Sequence, residues 1–170
     1  MSAIQKQIEA ASEHYSSAFT KGHLGLSPAK HYLVLTCMDA RIDPAQALGI
    51  ELGDAHVIRN AGAFAHDALR SIIISEQLLG THEIVLVKHT GCGMLTFTND
   101  DAYALVEQNL GSDALAEAKA KVPDFLPFSD LEQAVKNDVE FLRATKLVPD
   151  SVKISGWVYE VETGRTRRVV

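Results

Sequence analysis

The sequence predicts an α/β fold with a mostly parallel central β-sheet flanked by helices. Two observations carry this, and a third locates the chemistry. Short apolar runs over residues 32–36, 55–59 and 83–88 have the length of buried strands. The segments between them have helical periodicity, and a β-α-β-α-β order brings the strands back parallel. The chain's only two cysteines, Cys37 and Cys92, fall just past two of these runs. In open α/β sheets, ligands and chemistry collect beyond the carboxyl ends of strands.

Taken in order, residues 3–20 set Ile4, Ile8, Ala11, Tyr15 and Phe19 at helical spacing, an amphipathic first helix ended by Lys21-Gly22-His23-Leu24-Gly25. Residues 1–25 thus form a helical arm, able to pack on its own domain or on a partner subunit. Residues 32–36 are the first strand. Asp43 reads as an N-cap with Pro44 at the first helical position, opening a short helix through Leu48. Ala55 to Arg59 is the second strand, closed by Asn60-Ala61-Gly62. Asp67 to Leu79 is a helix with Gly80 as its stop. Glu83 to Lys88 is the third strand, and Gly91-Cys92-Gly93 is a tight turn. Asn99 is the candidate cap of a helix over residues 100–109, and another helix follows Ser112 before Pro123 and Pro127 break the pattern. Ser129-Asp130-Leu131-Glu132 reads as a capping box for a helix with Leu131, Val135, Val139 and Leu142 on one face. Ser151 to Val161 is the last long strand; Glu162-Thr163-Gly164 turns the chain, and Arg165 to Val170 pairs back as an edge. No repeat or linker interrupts this order, so residues 1–170 read as one domain.

Composition narrows the function classes. A hydrophobic share of 46% and a charged share of 22% fit a soluble globular protein. The net charge of -6 disfavours nucleic acid, whose phosphates attract basic surfaces. The Arg165, Arg167 and Arg168 cluster reads as decoration of an exposed terminal hairpin. No apolar run approaches the roughly 20 residues needed to cross a bilayer. The opening Met1-Ser2-Ala3-Ile4-Gln5-Lys6 has no apolar secretory segment. The expectation is a cytoplasmic protein that engages neither nucleic acid nor membrane. Two cysteines in that setting are free, metal-binding or catalytic rather than a structural disulfide.

Past the first strand the pattern breaks into a thiol, a carboxylate and a guanidinium on alternate residues: Cys37, Asp39 and Arg41. In extended chain alternate residues share a side, so a continued extended path would face all three into one pocket. The third strand ends in His89-Thr90-Gly91-Cys92-Gly93. Zinc takes thiolate and imidazole ligands, and its catalytic sites keep one position open. Cys37, His89 and Cys92 supply two sulfurs and one nitrogen with no further Cys or His beside them, which suggests a catalytic site. By spacing alone, buried structural thiols and a redox pair stay open; the lack of a Cys-x-x-Cys counts against the redox pair.

Together, Cys37-Met38-Asp39-Ala40-Arg41, Arg59-Asn60-Ala61-Gly62 and His89-Thr90-Gly91-Cys92-Gly93, in that order on alternating α/β units, resemble the β-class carbonic anhydrases, in particular their short, minor forms. The resemblance runs from about residue 30 to the C-terminal strand. It implies one zinc ion per subunit on Cys37, His89 and Cys92, with Asp39 and Arg41 as a catalytic dyad. It implies reversible hydration of carbon dioxide to bicarbonate and a proton by zinc-bound hydroxide. It also implies a homodimer or higher homo-oligomer, with the first helix packed on the partner. Related short proteins hydrolyse carbon disulfide or carbonyl sulfide at the same zinc site, an alternative that shares every residue named. A non-catalytic zinc-stabilised binding protein is the other alternative, and it has no need of the dyad. Met38 and Ala40 stand where larger members carry serine, so hydrogen bonding around the dyad differs.

Within that reading, two thiolates offset the charge of the ion. Its bound water should be less acidic than in a three-histidine site, where the pKa is about 7, so activity should rise into the alkaline range. Asp39 has two available jobs: orienting the attacking oxygen, or ligating zinc and closing the site. A bidentate pair with Arg41 would hold it off the metal. Gly91 and Gly93 lack a Cβ and would let substrate approach a backbone N–H. Asn60 is the third candidate substrate contact, although Arg59 and Asn60 equally suit a turn beside the site. His66, at a helix start, is either an exposed residue or a proton shuttle.

Overall fold

A computed structural model describes all 170 residues. Strands β1 (Tyr32–Cys37), β2 (Ala55–Asn60), β3 (Glu83–His89), β4 (Lys153–Glu160) and β5 (Arg165–Arg168) form one sheet in the order β2-β1-β3-β4-β5. The first four are parallel, and β5 returns antiparallel on β4. The expected mostly parallel α/β sheet is therefore present. The helices are α1 (Ala3–Ser17), α2 (Pro44–Leu48), α3 (Ala65–Gln77), α4 (Asn99–Leu110), α5 (Ser112–Lys121) and α6 (Leu131–Ala144).

The core lies between one face of the sheet and helices α3 and α6. Leu33, Leu35, Ile84, Leu86 and Val158 from the strands meet Ala68 and Ile72 of α3 and Val135 and Leu142 of α6, none more than 2% exposed. Burying each large aliphatic contributes about 1.5–3 kcal/mol, so this face carries much of the stability. Glycine at position 156 permits the close seating of α6, because a Cβ there would lie 2.5 Å from Val135 Cγ1. The alternate residues face the other way. On that side α2 leaves a cavity of about 310 Å³ lined by Tyr32, Val34, Ala47, Leu48, Val85 and Trp157.

Several boundaries differ from the expectation for local reasons. Asp43 caps α2 as expected, its Oδ1 accepting from the Ala45 and Gln46 N–H groups. Thr98, not Asn99, caps α4: its hydroxyl accepts from the Asp101 N–H, and Asp101 accepts from Thr98 N–H in return. Asp130, not Ser129, caps α6 by accepting from Gln133 N–H, so the expected capping box is replaced by a single acidic cap. Helix α1 stops at Ser17, α3 opens at Ala65, and β4 is shorter than the apolar run at both ends. Helix α1 buries no residue, and every residue from 1 to 27 is exposed.

Candidate metal centre

The parallel register brings the chemistry to one edge. Thr36 pairs with Val87, so Cys37 and His89 leave adjacent strands one residue apart in level. The turn after β3 then returns Cys92 towards them, with Gly91 at φ 58°. The two sulfurs lie 4.0 Å apart, and the donor atoms of Cys37, His89 and Cys92 all fall within 4.8 Å of one another. All three side chains are buried. Two sulfurs about 2.3 Å from a shared ion at the tetrahedral angle are about 3.8 Å apart, so the spacing fits zinc. A disulfide needs about 2.05 Å, and both cysteines are free.

The imidazole presents a free ring nitrogen that could hold a metal ion. Thr90 O lies 2.8 Å from His89 Nδ1, an acceptor that fixes the proton on Nδ1. Nε2 then carries a bare lone pair, is fully buried and has no hydrogen-bond partner. An orphaned buried acceptor facing two thiols is what an absent cation would satisfy. The two thiols are shifted in opposite directions. Cys37 is held well below the usual thiol range by Cys92's hydrogen bond and by backbone N–H groups, including that of Gly62 at 3.4 Å. Cys92 is pushed up because the neighbouring sulfur and burial keep its proton; a cation would take both as thiolates. Ile42 shares this buried cluster, with Met94, Leu95, Phe128 and Tyr159 packed against it.

Asp39 and Arg41 come together by a different route from the one expected. Strand β1 ends at Cys37, and the chain turns instead of continuing extended, with Ile42 N–H donating to Asp39 O at 3.1 Å. Asp39 Oδ1 accepts from the Arg41 backbone N–H at 2.9 Å, a local turn that short acidic side chains favour. The Arg41 guanidinium then takes both carboxylate oxygens, Nε to Oδ1 at 2.9 Å and Nη2 to Oδ2 at 2.7 Å. It also donates to Gly91 O at 2.8 Å. This pairing holds the Asp39 carboxyl well below the usual carboxylate range. Asp39 Oδ2 lies 3.7 Å from His89 Nε2, at the edge of the donor set.

The remaining candidates sort by what they touch. Arg59 donates to Cys37 O at 2.9 Å and to Asp39 O at 2.7 Å, bracing the segment that carries both residues. The Asn60 side chain is engaged by Phe64, accepting from its N–H and donating to its carbonyl. Space is open around Gly93, whereas a Cβ at Gly91 would meet Arg41 Nη1 at 3.7 Å. His66 is exposed, with Phe141 beside its ring. Sequence reasoning passed over two buried charges beneath the centre, Lys88 and Asp138, whose oxygen and nitrogen lie 2.7 Å apart. Their signal was a lysine closing an apolar strand and an aspartate on the apolar stripe of α6.

A Cys-His-Cys donor set that could hold a metal ion stands beside an Asp–Arg pair, at the carboxyl edge of a parallel sheet on an α/β scaffold. Residues 32–166 match the family model for carbonic anhydrase, and the chain belongs to that family. Its relatives place it in the β class. It is 39% identical over 158 residues to the β-carbonic anhydrase 1 of Mycobacterium tuberculosis, covering 91% of each chain. The solved carbonic anhydrase of Glaciozyma antarctica superposes with a TM-score of 0.94, at 43% identity and with 100% of both chains covered. A carbon disulfide hydrolase of Acidithiobacillus thiooxidans is 33% identical over 180 residues, covering 97% of this chain and 90% of that one.

Proposed function

We propose that the protein hydrates carbon dioxide reversibly to bicarbonate and a proton, with Cys37, His89 and Cys92 holding one zinc ion and Asp39 and Arg41 as the catalytic dyad. The observation that supports this most is the bidentate Asp39–Arg41 pair standing beside three convergent donors. A purely structural zinc site has no use for an ionised carboxylate held off the donors, which weighs against a non-catalytic binding protein. When bound, the zinc ion would supply a Lewis acid that makes its water far more acidic than bulk water.

The chain's own groups do the rest. Arg41 occupies the two Asp39 oxygens, so the carboxylate stays ionised and keeps one orientation. Asp39 accepts a hydrogen bond from the attacking oxygen and aims its free lone pair at the carbon of carbon dioxide. Gly93, bordered by open space, supplies the approach for substrate, and Gly91 acts by fixing Arg41 through its carbonyl. Asn60 shapes the loop that follows β2. Met94, Leu95 and Phe128 keep the centre apolar, which strengthens each charged contact within it.

We read residues 1–170 as one β-carbonic anhydrase-like domain with residues 1–25 as its arm. Ile4, Ile8, Tyr15 and Phe19 lie along one side of the arm and are 43–64% exposed, which supports a homodimer or higher homo-oligomer whose second copy covers them. Two thiols that must stay reduced suit the cytoplasm. No helix is long and apolar enough to cross a membrane.

Stopped-flow hydration of carbon dioxide by zinc-loaded protein tests the activity, with carbon disulfide hydrolysis run alongside. The relative from Acidithiobacillus thiooxidans is the reason for that second substrate, and turnover of carbon disulfide alone would reassign the reaction.

A further inference from the structure

Lys88 precedes His89 on β3, so its side chain leaves the opposite side of the strand. It is 1% exposed and therefore needs partners for all three of its protons. It donates to Gly62 O at 2.7 Å and to Ala63 O at 3.2 Å, and its charge is paired with Asp138 Oδ2, 2.7 Å away but outside hydrogen-bond geometry. The Phe128 ring lies beneath the ammonium at 5.0 Å. Asp138, on α6 and 5% exposed, also accepts from the Ala65 N–H at 3.1 Å. The ion pair thus grips the backbone of residues 62–65 from two sides.

That backbone touches the metal centre. The Gly62 N–H points at Cys37 Sγ, 3.4 Å away. Gly62 has φ 75°, and a Cβ there would lie 2.9 Å from Met94 Cγ. Asn60 ties the ends of this turn through Phe64, while Lys88 and Asp138 hold its interior at Gly62, Ala63 and Ala65. A hydrogen bond to a thiolate withdraws charge from the sulfur and so sets its donor strength towards a cation.

We propose that Lys88 and Asp138 are positioning residues for the metal centre: the pair clamps the 62–65 turn so that Gly62 donates to Cys37 and tunes that thiolate. The proposal rests on Cys37, His89 and Cys92 being the metal ligands. It assigns a function to a buried ion pair that stability alone does not require, since apolar replacement of such pairs is often neutral or stabilising.

The test exploits that fact. The double variant Lys88→Met/Asp138→Leu fills the same space without the clamp. It is loaded with cobalt(II) to read the thiolate-to-cobalt charge-transfer band, and its zinc affinity is measured by chelator competition. The expected result is cooperative unfolding as in the parent, a shifted band and zinc affinity lower by about tenfold. Leu142→Ala, which weakens the core on the same helix, should lower Tm while leaving band and affinity in place. Should the double variant not fold, Lys88→Met gives the same reading, because it removes the two bonds to Gly62 and Ala63 and leaves Asp138 its bond from the Ala65 N–H. A clamp variant with the parent's band and affinity overturns the proposal. A parent protein without any thiolate-to-cobalt band overturns the metal site itself, and this inference with it.

Discussion

Both oxygens of Asp39 are held by Arg41, at 2.9 and 2.7 Å, while Oδ2 stands only 3.7 Å from the bare Nε2 of His89. The carboxylate is therefore near enough to reach a cation among the donors and is kept from it by the guanidinium. In this arrangement the carboxylate is paired with Arg41 rather than turned in among the donors.

Arg41→Ala should expose this restraint. With the guanidinium gone, Asp39 is free to close on the metal. The expected result is a fall in kcat/KM of about a hundredfold or more, from lost positioning. Tm should barely move, because Arg41 is half-exposed and such pairs contribute little to stability. Stopped-flow kinetics and calorimetry on the same preparation check both halves.

Arg59→Met should lower kcat by about tenfold with zinc content unchanged. Its two bonds go to the carbonyls of Cys37 and Asp39, so their loss loosens the turn without removing a ligand. Equal zinc stoichiometry by metal analysis, with slower turnover, is the expected pattern.

Glu76 gives a pH dependence of stability independent of catalysis. Burial pushes its carboxyl from an ordinary 4.5 up to about 7, and neither oxygen has a hydrogen-bond partner. Between those values the folded chain binds a proton that the unfolded chain has released. Stability therefore falls as pH rises through that window and stays lower above it. Glu76→Gln should be more stable than the parent by about 2 kcal/mol at alkaline pH and closely matched in mild acid. Urea midpoints at the two extremes check this.

If the proposed homo-oligomer forms through the arm, removing residues 1–20 should yield smaller species while leaving the sheet folded, since α1 buries nothing within its own chain. Analytical ultracentrifugation with far-UV circular dichroism separates these effects. An unchanged number of subunits would place the interface elsewhere.

Much of this was legible where the determinants are local. Asp43-Pro44 announces α2 because a capping carboxylate and a fixed φ act within four residues. His89 and Cys92 read as ligands because a glycine turn joins them. Cys37 was legible as their partner from its place past a neighbouring strand, and the combined motifs strengthened that reading; its approach depends on strand register. The Asp39–Arg41 encounter was misread as extended alternation: a side-chain bond to the Arg41 N–H turns the chain, and Arg59 braces it from twenty residues away. Thr98 was overlooked in favour of Asn99 because both residue types cap; Asp101 decides, by closing the box with Thr98. The Lys88–Asp138 pair was hidden by distance, each charge alone looking like a surface residue at the end of an apolar pattern.

The central claim is a zinc-dependent hydratase centred on Cys37, His89 and Cys92. Its most direct test is stopped-flow carbon dioxide hydration at about pH 8.5, where a site with two thiolates should be active. Zinc-loaded protein is compared with Cys92→Ala prepared alike. The account expects fast turnover in the parent, with both zinc and turnover lost in the variant. A zinc-replete parent without turnover, or a variant that hydrates carbon dioxide as fast as the parent, would contradict it.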